Sequence, residues 1–175
     1  MKTKHKILMI FCFPFFLSLM SGTAFGENAP VEIEVHKMCP LCGMYPARYR
    51  TFQCQIVFTE SSYEAFDSPQ GLLIYLLFPE KTEISVVKPH YIYYRDYIDG
   101  SWIRSADTYY VVGTGVMGPM GLDFLPVKGK LRAEQLKEEE QGALIIHHSQ
   151  VDRAFLIKAA NSGWAHFLAR QLILE

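Results

Sequence analysis

The sequence has little cysteine, little excess of basic charge and few long apolar runs, and each shortage excludes something. It holds 4 cysteines in 175 residues. Only Cys39 and Cys42 have the close spacing of a metal or redox motif, whereas a closed structural zinc site takes four ligands, usually from two such pairs. Beyond Gly26 no apolar stretch approaches the roughly 20 residues that a membrane-spanning helix requires, so the rest of the chain reads as soluble. Lysine and arginine total 17 against 18 aspartates and glutamates. No basic stripe offers the electrostatic footprint that nucleic acid demands, which excludes that class of partner.

The N-terminus stands apart. Lys2, Lys4, His5 and Lys6 precede an apolar run over residues 7–20, and Ala24 and Gly26 supply small residues at a cleavage site. Residues 1–26 are therefore read as a signal peptide, and the mature chain as exported, periplasmic or secreted. It meets a membrane only if that segment stays uncleaved as an anchor. No cysteine follows a small residue near Ala24, so no lipidation site is present, and Cys12 lies inside the apolar run. Cleavage would remove three lysines and no acids, leaving a mildly acidic chain. Export also changes how Cys39, Cys42 and Cys54 are read. Disulfides persist outside the cytoplasm, and an odd number leaves at least one thiol unpaired within the chain.

Periodicity divides the remainder. Val31, Ile33 and Val35 alternate with Glu32, Glu34 and His36, which predicts a short half-buried strand. Phe52, Cys54, Ile56 and Phe58 predict a second strand, with Cys54 on its core face as a small buried hydrophobe. Ser68 and Pro69 are a helix start that Pro79 stops. Tyr91, Tyr93 and Tyr97 share one parity of a strand, Asp99-Gly100 predicts a hairpin turn, and residues 102–112 predict the returning strand. The stretch VMGPMG, Val116 to Gly121, is too rich in glycine and proline for regular structure. Residues 122–127 predict a short strand, residues 131–141 a charged helix capped by Gly142, and residues 143–148 another strand. Residues 149–175 predict two amphipathic helical pieces broken at Asn161-Ser162-Gly163. The order strand, strand, helix, strand occurs twice, over residues 27–98 and 99–175. The predicted class is α+β: two small ββαβ-type units with antiparallel sheets, plus a helical C-terminal segment.

The sulfur atoms carry the chemistry. Cys39-Pro-Leu-Cys42 lets two thiols converge on one ion or close one disulfide. Soft thiolate and thioether donors select Cu(I) and disfavour hard cations. Gly43 permits a sharp turn that could fold the Met44 thioether back toward the cysteines. Met117 and Met120 lie on the glycine-rich loop with no core-facing period to explain them. His36 and His148 are candidates for a further ligand. His147 and His148 point to opposite faces of a strand, so at most one of them could join a site. Three functions compete: a copper(I) carrier, a thiol–disulfide oxidoreductase working through Cys39 and Cys42, and a structural domain with a Cys39–Cys42 disulfide. A reactive pair of this spacing normally sits at a helix N-terminus. Here Pro46 biases Tyr45 away from helix, and redox exchange has no use for the methionines.

CPLCGM near the mature N-terminus, RTFQCQIVF after it, and VMGPMG ahead of LDFLPV together resemble the NosL family. Its members are exported copper-binding accessory proteins for nitrous oxide reductase. The resemblance runs from about Met38 to His148. It implies two ββαβ units related in fold to the organomercurial lyase, and Cu(I) binding and delivery without turnover chemistry. A recipient copper enzyme, nitrous oxide reductase, is the implied partner. Carried over by position, it implies Cys39, Cys42 and Met44, with Gly43 between them, and Met117 and Met120 as the copper set. One departure is plain: many members are lipoproteins, and this chain has no cysteine to lipidate.

Overall fold

The computed structural model of the protein describes residues 29–59, 62–82 and 88–174, and the segment read as a signal peptide lies outside them. Strand β1 (Cys54–Thr59) pairs antiparallel with β2 (Ser62–Phe66), setting Cys54 opposite Phe66. Helix α1 (Pro69–Leu77) follows, started as its chemistry predicts: the Ser68 side chain accepts from the Gly71 N–H, and Pro69 occupies the first turn. Pro79 ends that helix and opens the short α2 (Pro79–Thr82). Strand β3 (Tyr91–Arg95) returns beside β1, and β4 (Trp102–Arg104) completes a sheet of order β2-β1-β3-β4.

The second unit repeats the scheme. Strand β5 (Thr108–Val112) sits centrally between β8 (Leu125–Lys128) and β9 (Leu144–His147), with helix α3 (Lys130–Glu139) between the last two in sequence. All pairings are antiparallel. The α+β class with two ββαβ-type units is therefore the observed architecture. Helices α4 (Arg153–Asn161) and α5 (Phe167–Leu174) close the chain. The main core draws on both sheets, packing Phe66, Leu72, Ile74 and Tyr94 with Tyr110, Val112, Phe124 and Leu156. A smaller core lies under α3, from Val111, Leu125, Val127, Ala133 and Leu136. Among the described residues no helix is long and apolar enough to cross a membrane.

Several local expectations need correction, among them Phe52, which lies in a 3-10 turn ahead of β1, and Tyr97, which lies beyond the end of β3. The alternating Val31–Ile33–Val35 segment is not a strand. Strand β1 is already paired on both sides, and the segment is held instead by side chains of β1 and β2: the Tyr63 hydroxyl accepts from the Glu34 N–H at 3.2 Å. The Gln55 amide donates to the Val31 carbonyl and accepts from its N–H, each at 2.9 Å. Residues 102–112 are two strands, because a 3-10 turn at Ser105–Asp107 diverts the chain from the first sheet to the second. VMGPMG is not irregular: β6 (Met117–Gly118) and β7 (Gly121–Leu122) form a small hairpin whose glycines face each other. Finally, α3 is ended by Gln141, which takes a positive φ of 52°, and not by Gly142. Gly142 is needed for space, since a Cβ there would lie 2.5 Å from Val111 Cγ1.

Candidate metal centre

The cysteine turn is closed by its own backbone. The Cys39 N–H donates to the Met44 carbonyl at 2.7 Å, and the Gly43 N–H donates to the Cys39 carbonyl at 2.9 Å. Gly43 permits this closure with a φ of 74°, a region glycine enters without steric cost. Leu41 anchors the turn to α1, its Cδ2 lying 3.4 Å from where a Cβ of Gly71 would be. Between β2 and α1 stands one residue that the sequence reading passed over. Asp67 directly follows the last residue of β2 and precedes the N-cap of α1, so strand and helix fix it from both sides.

Its carboxylate faces the thiols. The Cys42 S–H donates to Asp67 Oδ1 at 3.2 Å. The ligand atoms of Cys39, Cys42 and Asp67 all lie within 4.8 Å of one another. Cys39 is 2% exposed and Asp67 0%, while Cys42 is half-buried, so the group opens outward through Cys42. All three cysteines of the described residues are free thiols. The Cys39 thiol is pushed far up from its ordinary range by its hydrogen bond with Cys42, then by burial, then by the negative charge of Asp67. Cys54 is fully buried on β1, as its alternation predicts, and donates to the Ser68 carbonyl at 3.3 Å.

The other candidates are more scattered. Met44 is half-buried and closes the turn through its carbonyl. Met117 is 65% exposed on β6, and Met120 is half-buried at the hairpin tip. His36 is exposed and His148 half-buried, and neither belongs to the thiol–carboxylate group. His148 Nδ1 instead lies 2.8 Å from the Tyr110 hydroxyl and 3.5 Å from that of Tyr94. Burial pushes its ring down to about 4.

The chain matches the NosL family over residues 30–156. It belongs to that family. A solved relative is the crystal structure of the copper chaperone NosL from Shewanella denitrificans, 23% identical with a TM-score of 0.58. The alignment covers 74% of this chain and 98% of that one, and the likeness shows a shared fold. No curated protein matches the chain in sequence.

In this NosL protein the residues just after Asp67 tie two distant segments to the candidate metal centre. The Gln70 N–H donates to Asp123 Oδ1 at 3.2 Å, and the Gln70 amide donates to the carbonyls of Leu122 at 3.2 Å and Trp164 at 3.0 Å. The same amide accepts from the His166 N–H at 3.1 Å. His166 Nδ1 accepts from the Ala169 N–H at 3.0 Å, so its proton sits on Nε2, which donates to Ser68 Oγ at 3.2 Å. Burial pushes His166 down to about 4, keeping that ring neutral. Asp123 goes the other way, pushed up to about 7 by burial despite the backbone N–H groups of Phe124 and Gln70. The methionine hairpin and the entry to α5 are therefore fastened to the same helix end as the cysteine turn. Of the residues involved, Asp67 and Gln70 were legible only as a polar pair flanking Ser68-Pro69; nothing in that local pattern says that both are buried.

Proposed function

We propose that this NosL protein is an exported, soluble copper(I) carrier that binds the metal as cargo and hands it to a recipient enzyme. The observation that carries the reading is the gathering of two free thiols and a carboxylate on a half-open turn. Two thiolates are a soft donor pair suited to Cu(I). Met44 lies next to them in the turn. Met117 and Met120 are proposed as further thioether donors, since their hairpin is tethered to the same end of α1. The family resemblance points to nitrous oxide reductase as recipient, and the copper chaperone with the same fold supports copper as the cargo.

An oxidoreductase is favoured less. Such an enzyme needs a thiol with a lowered pKa, commonly at a helix N-terminus. Here Cys39 is pushed up, and the segment after Cys42 forms single 3-10 turns at Pro46–Arg48 and Arg50–Phe52. Anaerobic titration of the reduced mature protein with Cu(I) against a competing chelator tests the proposal. Tight binding should vanish in Cys39→Ser and Cys42→Ser. Converting both Met117 and Met120 to leucine should weaken Cu(I) binding while hardly changing thermal stability. Equal affinity in that double variant would confine the donors to the cysteine segment. Efficient reduction of insulin disulfides, with no preference for copper over zinc, would replace the carrier by the enzyme.

A further inference from the structure

We infer that Asp67 sets how loosely copper is held: it is a built-in source of repulsion that keeps Cu(I) exchangeable, and this rests on the carrier reading above. In the metal-free protein the carboxylate is useful to Cys42, because Oδ1 accepts its S–H. Metal loading removes that bond. Each cysteine binds as a thiolate, its S–H breaking as the sulfur–metal bond forms and its proton leaving to solvent. The thiolate of Cys42 then faces a carboxylate across the space where a proton had joined them.

Among the described residues no ion pair offsets the added charge. Asp67 Oδ2 is buried without a hydrogen-bond partner among the described residues. The ion pairs formed by the described lysines and arginines all use other carboxylates. The positive end of α1 lies next in sequence, but its first-turn donors are taken. The Gln70 N–H serves Asp123 and the Gly71 N–H serves Ser68. A buried charge without a partner is costly. One Cu(I) among two thiolates and a carboxylate leaves two negative charges in excess; without the carboxylate it leaves one. With Zn²⁺ the two thiolates alone balance the charge and the carboxylate leaves a single negative charge in excess, but it also supplies an oxygen ligand that zinc accepts and from which the soft Cu(I) ion gains little. Asp67 therefore weakens the hold on Cu(I) and strengthens it on Zn²⁺.

The opposite signs give the test its force, because loss of a merely structural residue would weaken both metals. Cu(I) and Zn²⁺ affinities, and the rate of Cu(I) transfer to a chelator, are measured for wild type, Asp67→Asn and Asp67→Ala. Asn keeps the shape and places an N–H beside the thiolate; Ala removes the charge without adding a donor. Thermal unfolding of each variant establishes that it is folded, and either one folded suffices. The expected result is Cu(I) affinity raised by about tenfold or more in Asp67→Asn, with slower transfer and weakened Zn²⁺ binding. In Asp67→Ala the Cu(I) change keeps the same sign and is smaller. Cu(I) binding that is unchanged or weaker in the folded variants overturns the inference, as does a parallel rise for both metals. If wild type takes up no Cu(I), the carrier reading fails and this inference with it. If wild type binds and the variants bind alike, only this inference fails.

Discussion

Asp123 and Asp67 are both fully buried, yet their surroundings differ in kind. Asp67 faces thiols, whereas Asp123 faces the backbone, accepting from the N–H groups of Gln70 and Phe124 on one oxygen. Burial pushes the Asp123 carboxyl up from 3.8 to about 7. The folded chain thus keeps a proton there that the unfolded chain sheds above pH about 4. Its stabilising contribution is complete below that pH and is lost as the pH rises through 7. His148 and His166 work in the reverse sense, because their lowered folded values take stability away as the pH falls from 6.5 toward 4. A substitution separates the two effects. Asn at position 123 can keep the acceptor oxygen and cannot ionise. Measured by denaturant unfolding, Asp123→Asn should gain on wild type by roughly 3–4 kcal/mol between pH 4 and pH 8. A difference that stays flat across that range would place the proton elsewhere.

At the scale of elements, the contact between α3 and β5 shows how one small residue sets a spacing. The chain leaves α3 through Gln141 and turns at once into Gly142, which passes directly over buried Val111 near the end of β5. Val111 is locked between partners on both sides, Leu125 of β8 and Ile145 of β9, so it has little room to yield. Gly142→Ala should therefore cost about 1–3 kcal/mol through overpacking, as read from chemical unfolding. It should leave metal affinity unchanged, because the smaller core under α3 is separate from the one that contains Cys39. The cap of α1 is the contrasting case. Ser68 serves the helix through Gly71 and also receives His166, so a single side chain joins a local signal to a distant one.

For the whole molecule, the C-terminal helices extend the family fold and complete it. The family match ends at residue 156, within α4. Ala165, His166 and Ala169 lie beyond it and are nonetheless buried in this protein. They fill space beside α1, and His166, with the Trp164 carbonyl, satisfies the Gln70 amide and reaches the Ser68 hydroxyl. Ending the chain after Ser162 should lower unfolding stability by about 3 kcal/mol or more, since buried polar groups lose partners and core surface is uncovered. The methionine hairpin should loosen with it, because Gly121 packs against His166. Hydrogen exchange across residues 116–123 would register that loosening, and unchanged protection would make the helices a passive addition. A second lock works between the units. The buried Asp96 carboxylate at the β3–β4 turn accepts from the Lys128 N–H at 2.9 Å and from Arg132 of α3 at 2.7 Å.

Local chemistry determined much of this protein before any folding was considered. Ser68-Pro69 starts a helix because one side chain caps it and the other has no N–H to leave unbonded. The alternation around Cys54 places it in the core, and the Cys39–Met44 pattern marks the sulfur turn. These features depend on spacing of a few residues, and a linear reading resolves that scale. What the tertiary structure alone decided depends on where remote segments meet. Val31 to Val35 has strand periodicity, yet side chains of β1 and β2 take its backbone groups in place of a neighbouring strand. Residues 102–112 read as one strand, yet the two sheets claim its halves separately. Asp67 joins the thiol–carboxylate group because β2 and α1 press it against a turn about 25 residues earlier. His166 lies beneath the same helix start from 98 residues away. Burial converts these ordinary polar residues into site residues, because it is a property of the packed molecule and leaves no periodic mark on the chain.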